Sequence, residues 1–85
     1  MTKQEVRTAV LRLLSAIAPE ADLARLQPDV PLRDQLDIDS MDVLNFVIAI
    51  DKELHVGIPE TDYPKIATLN GCVDYVAARA AAGGP

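Results

Sequence analysis

The feature that most constrains the fold is a helical spacing of apolar residues that recurs in segments separated by prolines. In residues 3–18 apolar side chains recur at steps of three and four, which is typical of an amphipathic helix, and Pro19 ends the pattern. The stripe consists of Val6, Val10, Leu13, Leu14 and Ile17. Since no segment alternates as a β-strand would, the sequence predicts an all-α fold.

A second helix is predicted over about residues 40–54. Gly57 permits the turn that follows it, and Pro59 begins a short third helix. Because the residue before a proline avoids helical geometry, Pro64 limits this third helix to about one turn.

Thr68 is a suitable cap for a last helix over about residues 69–82. Its inner stripe is Leu69, Cys72, Val73 and Val76. Gly71 in the first turn weakens this helix locally. The sequence thus predicts a small four-helix bundle, with three longer helices and a short third one, in a single domain over residues 1–85 with a flexible tail from about residue 82.

A long connection, residues 19–39, joins the first two helices. It contains Pro19, Pro28 and Pro31 and has no sustained periodicity. Its apolar anchors are Leu23, Leu26, Val30, Leu32, Leu36 and Ile38. A structureless loop of this length is unusual in so small a domain, so we expect short turns within it and a functional role.

Length and composition limit the classes of protein to which this chain can belong. A chain of 85 residues builds only a thin core, and with 4% aromatic residues aliphatic side chains must supply most of it. The single cysteine, Cys72, excludes an internal disulfide and fits a reducing compartment. No apolar run reaches the length of a signal core or a membrane span, so we expect a cytoplasmic protein without membrane insertion.

The charge is negative and unevenly distributed. The net charge of −5 argues against nucleic-acid binding, which needs clustered Lys and Arg. Residues 28–62 hold nine acidic and two basic residues, a local net charge of −7. An acidic middle of this kind attracts basic surfaces on other proteins.

The second predicted helix has two apolar faces. At about 100° per residue one face presents Val43, Phe46, Val47, Ile50 and Leu54, which suffice for the core. The opposite face presents Met41, Leu44, Asn45, Ile48 and Lys52. We name Met41, Leu44 and Ile48 the outer strip and interpret it, with its acidic flanks, as a docking surface for a basic partner. The alternative is that the loop of residues 19–39 covers this face.

Ser40 lies at the start of that helix, where two residues compete to cap it. If Asp39 caps, Asp42 stands at the third helical position and approximates a capping box, whereas with Ser40 as cap that position is Val43. Asp39 is therefore the better cap, and the Ser40 hydroxyl is left free to face solvent. By physical reasoning alone, an ordinary helix-start serine is the simpler reading.

The stretch "LDIDSMDVLNFVIAIDKELHVGIP" resembles the segment around the attachment serine of acyl carrier proteins, in which an Asp-Ser-Leu or Asp-Ser-Met triplet opens the second helix. Here the triplet is Asp39-Ser40-Met41, followed by Asp42. The likeness extends over about residues 3–78, through the Pro-containing loop and "IATLNGCVDYV". The resemblance implies a role in fatty acid biosynthesis or other lipid metabolism.

The resemblance also implies a site. Ser40 would be esterified with phosphopantetheine that a phosphopantetheinyl transferase moves from coenzyme A, and the thiol of that arm would hold an acyl group as a thioester. A loading ligase or synthase and acyl-using enzymes with basic patches would be the other partners of a monomeric carrier. The partner-binding residues would be Asp39, Met41, Asp42, Leu44, Asn45 and Ile48.

Three positions depart from the family pattern. Asn45 stands where many members have Glu, Lys52 interrupts the usual acidic run, and Asp37 replaces a common Gly. Because fewer charges on this face should weaken docking to generic fatty acid enzymes, we hypothesise a specialised pathway with a dedicated loading enzyme.

Other chemistries find little support. No nucleophile and base pair is recognisable, so we predict no catalytic residues; His55 is interpreted as a helix-end residue and Cys72 as a packing residue. Asp37, Asp39 and Asp42 do not fit a calcium loop, since Met41 and Ile48 occupy ligand positions; we predict no metal site. An unmodified helical adaptor, or an aminoacyl or peptidyl carrier, remains an alternative.

Overall fold

The amphipathic N-terminal segment forms the helix that its spacing predicts. In the computed structural model, which describes the backbone of residues 1–82 and the side chains of residues 1–80, helix α1 spans Lys3–Ile17. Thr2 and Glu5 form a capping box, and the predicted stripe is buried apart from the half-buried Ile17. Residues 83–85, which belong to the predicted flexible tail, lie outside the described residues.

The long connection contains two short helical turns, as expected from its length. A 3-10 turn spans Leu23–Arg25, and helix α2 spans Leu32–Gln35. Leu32 and Leu36 are buried, and the backbone N–H of Leu32 donates to the carbonyl oxygen of Ala67 at 2.7 Å. The connection is therefore held on the body of the bundle by both apolar anchors and a hydrogen bond.

Helix α3 spans Ser40–Leu54, as predicted, but the turn after it is built differently. We expected Gly57 to permit the turn; instead the left-handed residue is His55, with φ of 56°, and its N–H donates to the carbonyl oxygen of Asp51 at 2.9 Å. The chain must reverse directly after Leu54, two residues before the glycine, and His tolerates this conformation better than β-branched residues do.

The third helix is longer than predicted. A 3-10 helix spans Glu60–Ile66 with Pro64 inside it, so the expectation of about one turn was wrong. Proline removes a single N–H donor, and the Pro64 carbonyl still accepts from the N–H of Ala67 at 3.4 Å. Burial of Ile66 and side-chain bonds from Asp62 to the last helix hold the segment in place.

Helix α4 spans Leu69–Ala82, and its predicted inner stripe is buried. The Thr68 hydroxyl accepts from the N–H of Gly71 at 3.0 Å, which confirms the predicted cap. Gly71 is more than a local weakness, because a Cβ at this position would lie 2.6 Å from the carbonyl oxygen of Lys65. The glycine allows the 3-10 helix to approach α4 closely.

The elements share one aliphatic core. Helix α1 packs against both α3 and α4, and the 3-10 helix Glu60–Ile66 packs against α4. Residues 1–82 form no β-strand, which agrees with the predicted all-α bundle, with α2 as an additional short helix. No helix within the described range is long and apolar enough to cross a membrane.

Candidate functional site

The site is built around the first turn of α3, which a reciprocal pair of aspartates caps. The N–H of Asp42 donates to the carboxylate of Asp39 at 2.9 Å, and the N–H of Asp39 donates to the carboxylate of Asp42 at 3.0 Å. The hydrogen bond from the Asp42 backbone lowers the pKa of Asp39. The predicted assignment of Asp39 as the cap is therefore confirmed.

Ser40 is the first residue of α3, and its side chain is exposed. Because Asp39 satisfies the amide of the first turn, Ser40 is not needed as a cap. Its hydroxyl makes no hydrogen bond with any of the residues that the structure describes. A hydroxyl in this setting can be approached by the active site of another protein.

The outer strip lies on the solvent side of α3. Met41 is 60% exposed, Leu44 39% and Ile48 47%, while Asn45 and Asp39 are also exposed and Asp42 is half-buried. The alternative that residues 19–39 cover this face is wrong, because all three residues of the outer strip remain exposed. The structure thus places Ser40 and the six predicted partner-binding residues on α3 and its cap, with all of them exposed except Asp42.

A cavity of about 630 Å³ opens beside Ser40. Helix α3 contributes Val43, Leu44 and Phe46 to its wall, and the 3-10 helix contributes Tyr63 and Ile66. Of the predicted core face of α3, Val43 and Phe46 line this cavity, whereas Val47 and Ile50 do not line it and lie within the core. The cavity wall is mostly apolar, so it suits an aliphatic group.

One wall of the cavity comes from residues that sequence reasoning missed. Pro31, Leu32 and Arg33, at the start of α2, line the cavity together with Ser40. They lie in a connection without periodicity, so no sequence pattern placed them near the serine. Sequence analysis predicted Leu32 as an apolar anchor of this connection, but an anchor by itself does not indicate which helix the segment lies beside.

The 3-10 helix Glu60–Ile66, which also lines the cavity, is joined to α4 by a cluster around Asp62. The Tyr75 hydroxyl donates to the Asp62 carboxylate at 2.7 Å, Arg79 contacts the same oxygen at 3.1 Å, and Lys65 lies 3.4 Å from the other oxygen. The hydrogen bond from Tyr75, with the two cations, lowers the pKa of Asp62. No local sequence pattern indicates these bonds, because Tyr75 and Arg79 are distant from Asp62 in the sequence.

The two residues considered for chemistry lie elsewhere. Cys72 is fully buried in α4, and burial raises its pKa to about 12, so its thiolate is scarce at neutral pH. His55 is exposed at the opposite end of α3 from Ser40. Within the described part of the chain, no group of three or more His, Cys, Asp or Glu side chains is arranged to hold a metal ion.

Comparison with known proteins gives a consistent result. The family model described as phosphopantetheine attachment site matches residues 4–76. The chain is 29% identical over 79 residues to an acyl carrier protein of Acidothermus cellulolyticus, which covers 91% of this chain and 90% of the relative. It is 30% identical over 77 residues to an acyl carrier protein of Chlorobium luteolum, and the alignment covers 89% of this chain and 96% of the relative.

Proposed function

Because this chain belongs to the phosphopantetheine attachment-site family, we propose that Ser40 is the residue to which its phosphopantetheine arm is joined. The protein is an acyl carrier protein, which holds acyl groups on that arm and is not itself a catalyst. The observation that carries the assignment to Ser40 is its exposed hydroxyl, free of hydrogen bonds among the described residues, within the Asp39-Ser40-Met41 triplet.

The residues around Ser40 fit the group. A phosphoester on the hydroxyl lies at the amino-terminal end of α3, where the helix dipole favours an anion. The hydroxyl is accessible, and the cavity beside it offers an apolar wall. The arm supplies a terminal thiol that holds the acyl group as a thioester. The chain's own contribution is to present the hydroxyl on a rigid, capped helix and to offer partial shelter for an aliphatic chain.

A separate phosphopantetheinyl transferase is the proposed modifying enzyme, with coenzyme A as donor. It must recognise the face that surrounds Ser40. The outer strip supplies apolar contact, and Asp39 and Asp42 supply negative charge beside it. A partner with a basic rim and an apolar centre is complementary to this surface, with charge accelerating encounter and the apolar contact setting the register.

The same surface is the proposed docking face for loading and acyl-using enzymes. Asn45 and Lys52 lower its negative charge relative to the family pattern, and Asp37 replaces a common Gly three residues before Ser40. These positions support a specialised pathway with a dedicated loading enzyme. Loading rates with a generic fatty acid enzyme and with the dedicated one test this hypothesis, and equal rates would contradict it.

The attachment site is tested by incubating the purified protein with coenzyme A, magnesium and a broad-range transferase, and measuring intact mass. We expect a gain of one phosphopantetheine in the wild type and in Ser15→Ala, and no gain in Ser40→Ala. Ser15 is the matched control, since it is the other serine of the chain and is exposed on α1.

Modification of Ser40→Ala, or no modification of a folded wild type, would overturn the assignment. The second outcome would favour the unmodified adaptor. Loading assays on the modified protein with fatty acyl and aminoacyl donors then identify the class of cargo.

A further inference from the structure

The carboxylates around Ser40 make the addition of a negatively charged phosphodiester electrostatically unfavourable. Asp37, Asp39 and Asp42 lie within three residues of the serine, and residues 28–62 carry a net charge of −7. A phosphodiester adds another negative charge at this point. Favourable contact with the amino-terminal end of α3 is opposed by repulsion from these carboxylates.

Arg33 is the only basic residue among the described residues that line the cavity beside Ser40. Residues 28–62 contain two basic residues, and the other, Lys52, lies three turns along α3 from Ser40. Arg33 lines the same cavity as Ser40, and its side chain is exposed. Among the residues that the structure describes, it forms no salt bridge, although acidic residues are abundant nearby.

The backbone that carries Arg33 is held in place. The preceding residue, Leu32, is 5% exposed, and its N–H donates at 2.7 Å to the carbonyl oxygen of Ala67, which also lines the cavity. Leu36, one turn later, is also buried, and its N–H donates to the carbonyl oxygen of Leu32 at 2.8 Å. The backbone that carries the Arg33 side chain is therefore fixed beside the cavity.

We propose that Arg33 is a positioning residue that pairs with the phosphodiester on Ser40 and holds the base of the arm against the α2 side of the cavity. This inference rests on the proposed attachment at Ser40. Arginine suits the task, because its planar guanidinium offers several donors to phosphate oxygens. Restricting the base of the arm would bias the acyl group toward the cavity and away from solvent.

The test compares thermal stability with and without the arm. Apo and unacylated holo forms of the wild type, Arg33→Gln, Arg33→Lys and Arg7→Gln are prepared, and melting temperatures are measured by circular dichroism. Arg7→Gln is the control, since it removes the same charge from α1 and does not line the cavity. The unacylated form is used so that the phosphodiester is the only new anion.

For each protein we compare the shift in melting temperature from the apo to the holo form. We expect this shift to be about 1–5 °C less favourable in Arg33→Gln than in the wild type. Arg7→Gln should match the wild type, and Arg33→Lys should recover part of the difference. At 1 M NaCl, where the Debye length is about 3 Å, the difference should shrink. Because each variant is compared with its own apo form, an effect of the substitution on folding cancels.

Two results would count against the proposal in distinguishable ways. If the wild type gains mass at Ser40 but all four proteins respond equally to modification, the role of Arg33 is overturned while the attachment site stands. If the folded wild type gains no mass, the attachment site fails and the role of Arg33 fails with it.

Discussion

Asp39 and Ser40 are neighbours in the chain but have different tasks, because only one side chain is needed to cap α3. Asp39 and Asp42 bind each other's backbone, which leaves the Ser40 hydroxyl without a structural partner among the described residues. A serine that served as the cap would have its oxygen committed to the helix. At the level of single residues, the pair of carboxylates keeps the hydroxyl accessible.

Asp62 gives a prediction about pH. The pKa of Asp62 is lowered by the hydrogen bond from Tyr75 and by Lys65 and Arg79, so its ionised form stabilises the folded state. This contribution is fully present above the ordinary pKa of about 3.8 and is lost as the pH falls through the lower folded value. We therefore expect the wild type to lose stability more steeply than Asp62→Asn below pH 4 in urea unfolding.

Asp51→Asn is the control for that experiment, since Asp51 is exposed and its carboxylate makes no salt bridge within the described residues. It should retain the acid sensitivity of the wild type. A wild type and an Asp62→Asn variant with parallel stability profiles between pH 5 and pH 2 would contradict the stabilising role of the cluster.

The substitution of Gly by Ala is predicted to have opposite effects on the free energy of unfolding at Gly57 and at Gly71. A Cβ at Gly57 meets nothing within 4 Å, and Gly57 does not have a positive φ, so Gly57→Ala should stabilise by about 0.4–1 kcal/mol. A Cβ at Gly71 would overlap the carbonyl oxygen of Lys65, so Gly71→Ala should destabilise by about 1–3 kcal/mol. Urea unfolding measures both, and equal effects would contradict the close approach at Gly71.

At the scale of the element, α3 serves the core with one face and presents the proposed docking surface on the other. Phe46, Val47 and Ile50 are buried, while the outer strip remains exposed. An ordinary surface helix would present polar residues on its outer side. The retention of large apolar side chains there is what supports a docking role for α3.

A pair of isoleucines in α3 separates these two functions. Ile50 is fully buried, so Ile50→Ala should destabilise the fold by about 2–5 kcal/mol. Ile48 is 47% exposed, so Ile48→Ala should change stability by no more than about 0.5 kcal/mol. Ile48→Ala should nevertheless reduce kcat/KM for the transferase, whereas an unchanged value would remove Ile48 from the proposed docking face.

At the scale of the whole molecule, charge is concentrated on the part of the chain that holds the site. Residues 28–62 carry −7, although the whole chain carries −5. The fold places Asp39 and Asp42 of this segment at the same end of α3 as Ser40. An excess of one sign around a site steers oppositely charged partners toward it and raises association rates.

The charge distribution predicts a salt-dependent encounter. The kcat/KM of a basic transferase should fall as NaCl rises from 0.05 to 0.5 M, because screening shortens the range of attraction. Ile48→Ala should lower kcat/KM at every salt concentration without changing the slope, and Asp42→Asn should reduce the slope. A slope near zero in the wild type would contradict electrostatic steering.

The helices were predictable because their information is local. Apolar spacing in α1, α3 and α4, the Asp39 cap and the Thr68 cap all depend on residues within a few positions of one another. The family resemblance likewise rests on a contiguous stretch around Ser40. For these features, the sequence was sufficient to predict the all-α bundle and to select the candidate attachment residue.

The surroundings of Ser40 depended on contacts between distant segments. The cavity, the position of Arg33 and the bonds of Asp62 join α2, the 3-10 helix and α4, which no periodicity relates. The same is true of the two wrong expectations, since the length of the 3-10 helix and the reversal at His55 depend on packing. The sequence determined which residues form helices and which serine is presented; tertiary packing alone decided what lies beside that serine, because burial and close approach arise only when the helices meet.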